Sequence, residues 1–294
     1  MELHQLRYAL AVVDAGTFTA GAQAVRVSQS GVSMQIAKLE RELGVALFDR
    51  TSRRVALTDA GRTLLPAMRQ ALAAADAVTA AAGEIRGVLA GSLRVGAVTG
   101  LTWEPLVDAL AAMHARHPGI DVRLTEGLSD DLVVCVREGS LDIAVAGWAG
   151  REPRDLLTTV IVDDALCAVV APDHPWASRQ ACSVDDLLST DVIALPTGTG
   201  ARTALDTAAQ RAGRHASPRW EVTTPAQVVA LARRGIGVGA LSVTTAAGFE
   251  GVLAIPLTDA AARSSLGVVS RHDPSPAARA FRTLLGHWAV SHLG

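Results

Sequence analysis

A chain of 294 residues with 49% apolar and 19% charged residues is too apolar to be disordered and long enough for two or more domains with their own cores. Aromatic residues are scarce, at 3%, so those cores must be built from Ala, Val and Leu. The net charge of −2 conceals an asymmetry: residues 1–70 carry nine Lys or Arg against six Asp or Glu, a basic head of +3 on an acidic body, which points to an anionic partner for the head alone.

No basic, apolar leader opens the chain, and apolar runs such as "ALCAVVA" fall far short of the ~20 residues that span a bilayer. A cytoplasmic protein with no membrane partner is expected. In "LHQLRYALAVVDAG", Leu3, Leu6, Leu10 and Val13 recur at helical spacing up to Gly16. A second helix begins in "TFTAGAQAVRV", with Thr17 or Thr19 as its cap. Ser28 caps a third, which runs to about Leu43 and stops at Gly44. Two short extended runs follow, Val45–Phe48 and Val55–Leu57, around an Arg-rich tip. Three helices and a small hairpin have the layout of a winged helix-turn-helix.

Residues 59–89 read as one long alanine-rich helix. Leu64, Ala67, Ala71, Ala74 and Val78 form a shallow apolar stripe, and Pro66 falls in an early turn, where it bends a helix without ending it. Such a helix serves as a dimerisation strut or as a connector packed on its own body.

From about Gly91 the pattern alternates strands and helices, as in a parallel-sheet α/β domain. Strands are expected at Leu93–Val98, Val122–Thr125, Ile143–Ala146, Leu156–Val162, Cys167–Val170, Val192–Leu195, Trp220–Val222, Val238–Leu241, Val252–Ile255 and Leu266–Val269. Helices are expected at Trp103–Arg116, Leu128–Glu138, Ala201–Ala212, Pro225–Arg234 and Ala277–Val290. So many strands in about 200 residues suggest two α/β lobes, with a ligand cleft beyond the carboxyl ends of the strands. Cys135, Cys167 and Cys182 are odd in number, widely spaced and form no CxxC, so reduced thiols are expected. The alternative is a peroxide-sensing pair of Cys167 and Cys182, although nothing basic closely flanks either thiol.

At 100° per residue, Val32, Ile36, Leu39 and Leu43 share one face of the third helix. The opposite face carries Ser30, Met34, Ala37 and Arg41, flanked by Ser33 and Lys38. Short hydrogen-bonding groups at the N-terminus with cations behind them suit a helix that enters the DNA major groove. An ordinary polar surface helix is the competing reading. Gly31 costs ~1 kcal/mol of helix propensity and permits close approach to a neighbouring surface.

Three loops at predicted strand-to-helix turns gather small donors: "VTGLTW" with Thr99, Gly100 and Thr102, "LPTGTGAR" with Thr197, Gly198 and Thr199, and "VTTPAQ" with Thr223 and Thr224. Helix N-termini with hydroxyls and free N–H groups favour carboxylates, although each threonine alone could simply cap its helix. Trp148 would either wall this cleft or sit in the core.

Residues 2–65 resemble the DNA-binding domain of LysR-type transcriptional regulators, through "LRY", "GTFTAGAQAV", "VSQSGVSMQIAKLERELGVALFDR" and "RRVALTDAG". The resemblance continues through "GSLRVGAV", "HPGIDVRLTEG", "REGSLDIAVAG", "VAPDHPWA", "IALPTGTGAR" and "ARRGIGVGAL", in the order of that family's two-lobed effector domain. It implies an α/β multidomain chain: a winged helix-turn-helix over 1–58, a long linker helix over 59–90, and a periplasmic-binding-protein-like effector domain over 91–294. Lobe I would comprise about 91–162 and 267–294, and lobe II about 163–266. It implies a promoter-binding regulator modulated by a small, carboxylate-like effector, with no cofactor, a homodimer through residues 59–89 that can form a tetramer, and RNA polymerase as a further partner. Gln29, Ser30, Ser33 and Met34 would meet base edges. Thr17, Phe18, Lys38 and Arg50 would support docking or hold phosphate, and Arg53 and Arg54 in the wing would reach a minor groove. Ser30 and Gly31 stand where the family often has Pro-Ala, and Met34 where a polar or basic residue is common. Methionine packs on a thymine methyl but makes no bidentate contact.

Other readings fail on context. "GIGVGA" at Gly235–Ala240 fits GxGxxA but follows a helix and enters a strand, the reverse of a nucleotide-binding turn. His114 and His117 have no Cys or carboxylate set to complete a zinc site. There is no GxSxG, SxxK or HExxH, so no catalytic residue is assigned and no enzyme is expected.

Overall fold

The computed structural model describes residues 1–49, 55–85 and 89–291. The chain forms two compact units, one built on residues 1–91 and the other holding most of the remainder.

In the first unit, α1 (Leu3–Ala15) ends at Gly16 in the left-handed conformation. Helix α2 (Phe18–Ala24) is capped by Thr17, whose Oγ1 accepts a hydrogen bond from Ala20 N at 3.0 Å. Helix α3 (Gln29–Leu43) is capped by Ser28 in the same way and ends at left-handed Gly44. Strands β1 (Phe48–Asp49) and β2 (Ala56–Leu57) pair antiparallel, Phe48 opposite Leu57. The Arg-rich tip between them lies outside the described residues. Leu6, Leu10, Ile36, Leu39, Leu47 and Phe48 pack into one core with Met68 of the long helix α4 (Asp59–Ile85).

Two polar contacts fix the geometry of this unit. Gln5 is fully buried, and its Nε2 donates to Gln35 Oε1 at 3.2 Å, joining α1 to α3. Glu40 Oε1 accepts from Leu47 N at 2.8 Å and Phe48 N at 3.2 Å, fastening the first wing strand to α3. Along α4, the residues that reach the head core are Leu64, Leu65, Met68, Ala71 and Leu72. Ala67, Ala74 and Val78 of the expected stripe remain exposed.

The second unit runs β3 (Ala90–Val98), α5 (Glu104–Arg116), β4 (Gly119–Gly127), α6 (Ser129–Glu138), β5 (Ile143–Trp148), β6 (Leu157–Val170), α7 (Val184–Leu188) and β7 (Val192–Ala194). It continues through α8 (Gly200–Arg211), β8 (Trp220–Glu221), α9 (Pro225–Ala232), β9 (Val238–Ser242), α10 (Val243–Ala247), β10 (Leu253–Pro256), β11 (Arg263–Ser270) and α11 (Pro276–Ser291). Its strands lie in the order β4-β3-β5-β11-β6-β9-β7-β8, with β10 also on β6.

The sheet is mixed rather than all-parallel. Strands β3–β5, β7–β8 and β7–β9 are parallel, whereas β11 runs antiparallel to β5 and β6, and β6 antiparallel to β9 and β10. The two strands expected at Leu156–Val162 and Cys167–Val170 are one, β6. Asp163 and Asp164 interrupt its apolar pattern without ending it, because each carboxylate finds partners. Asp163 meets Arg263, and Asp164 accepts from the backbone N of Thr244. Strand β6 pairs with β11 along its first half and with β9 and β10 along its second, so this strand crosses from one lobe to the other. A register slip at Leu266/Gly267, opposite Val162 and Val160, lies within the part of β6 that pairs with β11. Two short helices, α7 and α10, were not expected; both start on serine caps, Ser183 and Ser242. Among the described residues no helix is long and apolar enough to cross a membrane.

Candidate functional site

On α3 the aliphatic face is buried as expected, with Val32, Ile36 and Leu39 at 0% exposure. Gln29, Ser30, Met34, Lys38 and Arg41 face solvent, and Ser33 is half-buried beside them. Met34 is 63% exposed, a large apolar side chain left in water at the centre of a polar face, as on a surface meant to be covered. The first turn of α3 holds no acidic residue, so the positive end of its dipole is unopposed there. Gly31 has a structural reason close at hand: a Cβ there would lie 3.0 Å from Ser28 Oγ and 3.1 Å from Val27 Cγ1, so the close neighbour is the helix's own cap.

Thr17 is exposed and engaged as the α2 cap. Phe18 is half-buried and stands edge-on to Phe48, ring centroids 5.3 Å apart, so it props the start of α2 against the wing. Arg50, Arg53 and Arg54 lie outside the described residues.

The second unit contains a cavity of about 260 Å³ between its lobes, just below the ~300–1,000 Å³ usual for ligand sites. Of the expected residues, Thr99, Gly100, Thr102, Thr199 and Thr223 line it. Thr197, which is exposed, and Gly198, Thr224 and Trp148, which are engaged elsewhere, do not. Gly198 O accepts from Asp130 N at 3.1 Å, tying the loop before α8 to the N-terminus of α6. Thr224 caps α9 and abuts the Gly100 loop, where a Cβ on Gly100 would come within 3.2 Å of Thr224 Cβ. Trp148 is buried in the lobe I core with Leu132, Val136 and Leu156, beneath Gly267, where a Cβ would lie 2.5 Å from its ring. The aromatic residues on the cleft wall are Trp103 and Phe249.

The hydroxyls divide into two sets. Thr199 Oγ1 donates to Pro196 O at 2.9 Å and accepts from Arg202 N, and Thr223 Oγ1 bonds Gln227 Oε1 at 3.1 Å, so both are occupied with local structure. Among the described residues no group bonds the hydroxyls of Thr99 and Thr102. Sequence reasoning missed Ser129 and Asp164, both on the wall. Ser129 is buried, and its Oγ accepts from Gly147 N at 3.0 Å, leaving its own proton to donate. The "SDD" run that opens α6 is a helix-start signal that would have found it. Asp164, in mid-strand, gives no such signal. Among the described residues it is the single charged side chain of the lining.

No cysteine lines the cavity. Burial, reinforced by the charge of Asp164, pushes the Cys167 thiol up to about 12, and burial likewise raises Cys182. The two thiols pack into different clusters on opposite faces of the sheet, Cys167 with Val169, Ile193 and Val228, and Cys182 with Leu166, Ala168 and Val170. Gly235 and Ile236 lead from α9 into β9, the helix-to-strand order expected for "GIGVGA".

Residues 3–62 match the family described as "Bacterial regulatory helix-turn-helix protein, lysR family", and residues 86–289 match "LysR substrate binding domain". A "Probable hydrogen peroxide-inducible genes activator" of Mycobacterium avium is 31% identical over 275 residues, 93% of this chain and 85% of that protein. The "RuBisCO operon transcriptional regulator" of Allochromatium vinosum is 28% identical over 246 residues, 83% of this chain and 80% of that one. A full-length OxyR variant from Pseudomonas aeruginosa shares the fold with a TM-score of 0.75 at 23% identity, over 98% of this chain and 94% of that chain. Full-length CbnR in complex with its target DNA gives a TM-score of 0.59 at 22% identity, over 98% of this chain and all of that one.

Proposed function

Since the chain belongs to the lysR family of bacterial regulatory helix-turn-helix proteins, we propose that its promoter binding is governed by a small organic carboxylate held between the two lobes of the second unit. The chain is a DNA-binding transcriptional regulator of the LysR type, a family of regulators and not of enzymes. The finer reading gives α3 to the major groove, with Gln29, Ser30, Ser33 and Met34 toward base edges. Thr17, Phe18 and Lys38 support the docking, and Arg50, Arg53 and Arg54 serve the backbone and minor groove.

The observation that carries this reading is the exposed, acid-free first turn of α3 above a fully buried aliphatic face. Residues 1–58, 59–90 and 91–294 then divide the work between DNA, assembly and effector. The exposed Ala67, Ala74 and Val78 stripe on α4 supports a homodimer, or a tetramer built from it. Regulation would be expressed through RNA polymerase.

Footprinting on the chain's own upstream region, with a salt series, tests the DNA reading. A protected, roughly two-fold-symmetric site with a steep salt slope is expected. No protection, or salt-insensitive binding, overturns it. For the effector, carboxylates should raise the melting temperature, and Thr99→Val should abolish the shift.

A second reading, a redox response through Cys167 and Cys182, is favoured by the peroxide-linked names of relatives such as the Mycobacterium avium protein. In this fold the pair would have to leave opposite faces of a packed sheet to join. Peroxide treatment followed by mass spectrometry of the Cys167 and Cys182 peptides separates the two readings.

A further inference from the structure

Among the described residues Asp164, on the cavity wall, has no counter-ion. Its Oδ2 accepts from Thr244 N, and no described residue bonds Oδ1. Asp163, one residue earlier, has its own cation: Arg263 Nη2 lies 3.4 Å from Asp163 Oδ2. Arg202, in the first turn of α8, is held by Asp206 at 2.9 Å and Glu221 at 2.8 Å. Among the described residues no Lys, Arg or His contributes to the lining, and the rest of the wall is apolar or hydroxyl-bearing, with Leu101, Val162, Leu241, Phe249 and Leu266 giving its greasy surface.

A ligand that fills this space strips water from Asp164. A buried carboxylate without a cation or a full set of donors is costly, and a ligand bearing only a second carboxylate would add like charge to it. A protonated amine removes both penalties by donating to the unused Oδ1 as a charge-assisted bond. We propose that the effector carries a protonated amine facing Asp164, with its apolar portion against Leu101, Phe249 and Leu266. This rests on the reading of the cavity as the effector site. Joined to the carboxylate proposed above, it makes the preferred class a small amino acid with an apolar side chain.

The test compares matched compounds on the full-length chain by thermal shift and calorimetry: leucine, isocaproate and isoamylamine, and then phenylalanine, hydrocinnamate and phenethylamine. Each set keeps the apolar body and removes the amine or the carboxylate. At least one amino acid should bind about tenfold or more tighter than its deaminated acid. Asp164→Asn, which keeps an acceptor for Thr244 N, should erase that advantage. The wild-type ratio stands as a readout even where the variant is unstable. An acid that binds as tightly as its amino acid, or a ratio unchanged by Asp164→Asn, overturns the amine. If Ala201→Trp then abolishes binding of that acid, the cleft survives as the effector site. Binding by none of the six compounds overturns the proposal, and binding indifferent to Ala201→Trp overturns both the proposal and the cleft.

Discussion

Gly200 and Gly147 meet backbone to backbone: a Cβ on Gly200 would lie 2.8 Å from the carbonyl carbon of Gly147 and from Trp148 N. The first turn of α8 in one lobe thereby rests directly on the end of β5 in the other. Gly200→Ala must push these elements apart at the mouth of the cavity. A loss of about 1–3 kcal/mol is expected from overpacking, with the effector-induced rise in melting temperature abolished. Chemical denaturation and thermal shift measure the two effects. A variant with wild-type stability and response would show that the contact is slack.

Glu40 receives two backbone N–H groups, those of Leu47 and Phe48. Glu40→Ala leaves both donors without this acceptor and should cost about 1–3 kcal/mol, read as a lower melting temperature of the DNA-binding head. DNA affinity should fall with it, because the wing then loses its anchor to α3. Glu40→Gln keeps an acceptor and should recover part of the loss.

The face of α3 can be dissected by type of contact. Gln29→Ala should weaken binding to the specific site by about 1–3 kcal/mol while leaving non-specific binding nearly unchanged. Lys38→Gln should weaken binding to all sequences and lower the salt slope by about one. Met34→Leu should retain the base preference of the wild type, whereas Met34→Glu should abolish binding. Gel shifts at several salt concentrations distinguish these outcomes. Equal losses from Gln29→Ala on specific and random DNA would remove that residue from base recognition.

Cys167 supplies a pH signature. Its thiol is raised from an ordinary 9.0 to about 12 in the fold, so the folded chain holds this proton more tightly than the unfolded chain. The associated stability is fully present below pH 9 and is lost as the pH climbs from about 9 to 12, up to about 4 kcal/mol. Cys167→Ala should therefore lose less stability than wild type across that window, even though it is less stable at neutral pH. Urea titrations at a series of pH values check this, and parallel curves would refute it. At neutral pH the folded chain's Cys167 should resist iodoacetamide.

Much of the fold was legible because period and burial agree. Val32, Ile36 and Leu39 declared the inner face of α3 by spacing alone, and the Ser28 and Thr17 caps by residue type. The continuity of β6 was not legible, since two adjacent aspartates read as a break until partners distant in sequence, Arg263 and Thr244, are known. Trp148 was ambiguous for a related reason: its burial depends on a glycine at 267, across a strand pairing no local pattern announces. The cleft loops were found through their threonines, yet the one charged group among the described lining residues, Asp164, lay in a strand where only tertiary structure shows which face it takes.

The register slip between β6 and β11 has a mechanical meaning. Leu266 pairs with Val162 and Gly267 with Val160, so Ile161 has no opposite number on β11. At these residues β11 is also held on its other edge by β5, Leu266 opposite Gly147 and Gly267 opposite Ala146, so the bulge bends β6 against a strand that is fixed. Just beyond it, Asp164 and Ala165 opposite Ser264 and Arg263 form a short two-stranded stretch before β6 reaches β9, and the lobes are joined there as by a torsion bar. Two strands yield to twisting more readily than the wide sheets on either side, so amide exchange should quicken first at Asp164 and Ala165.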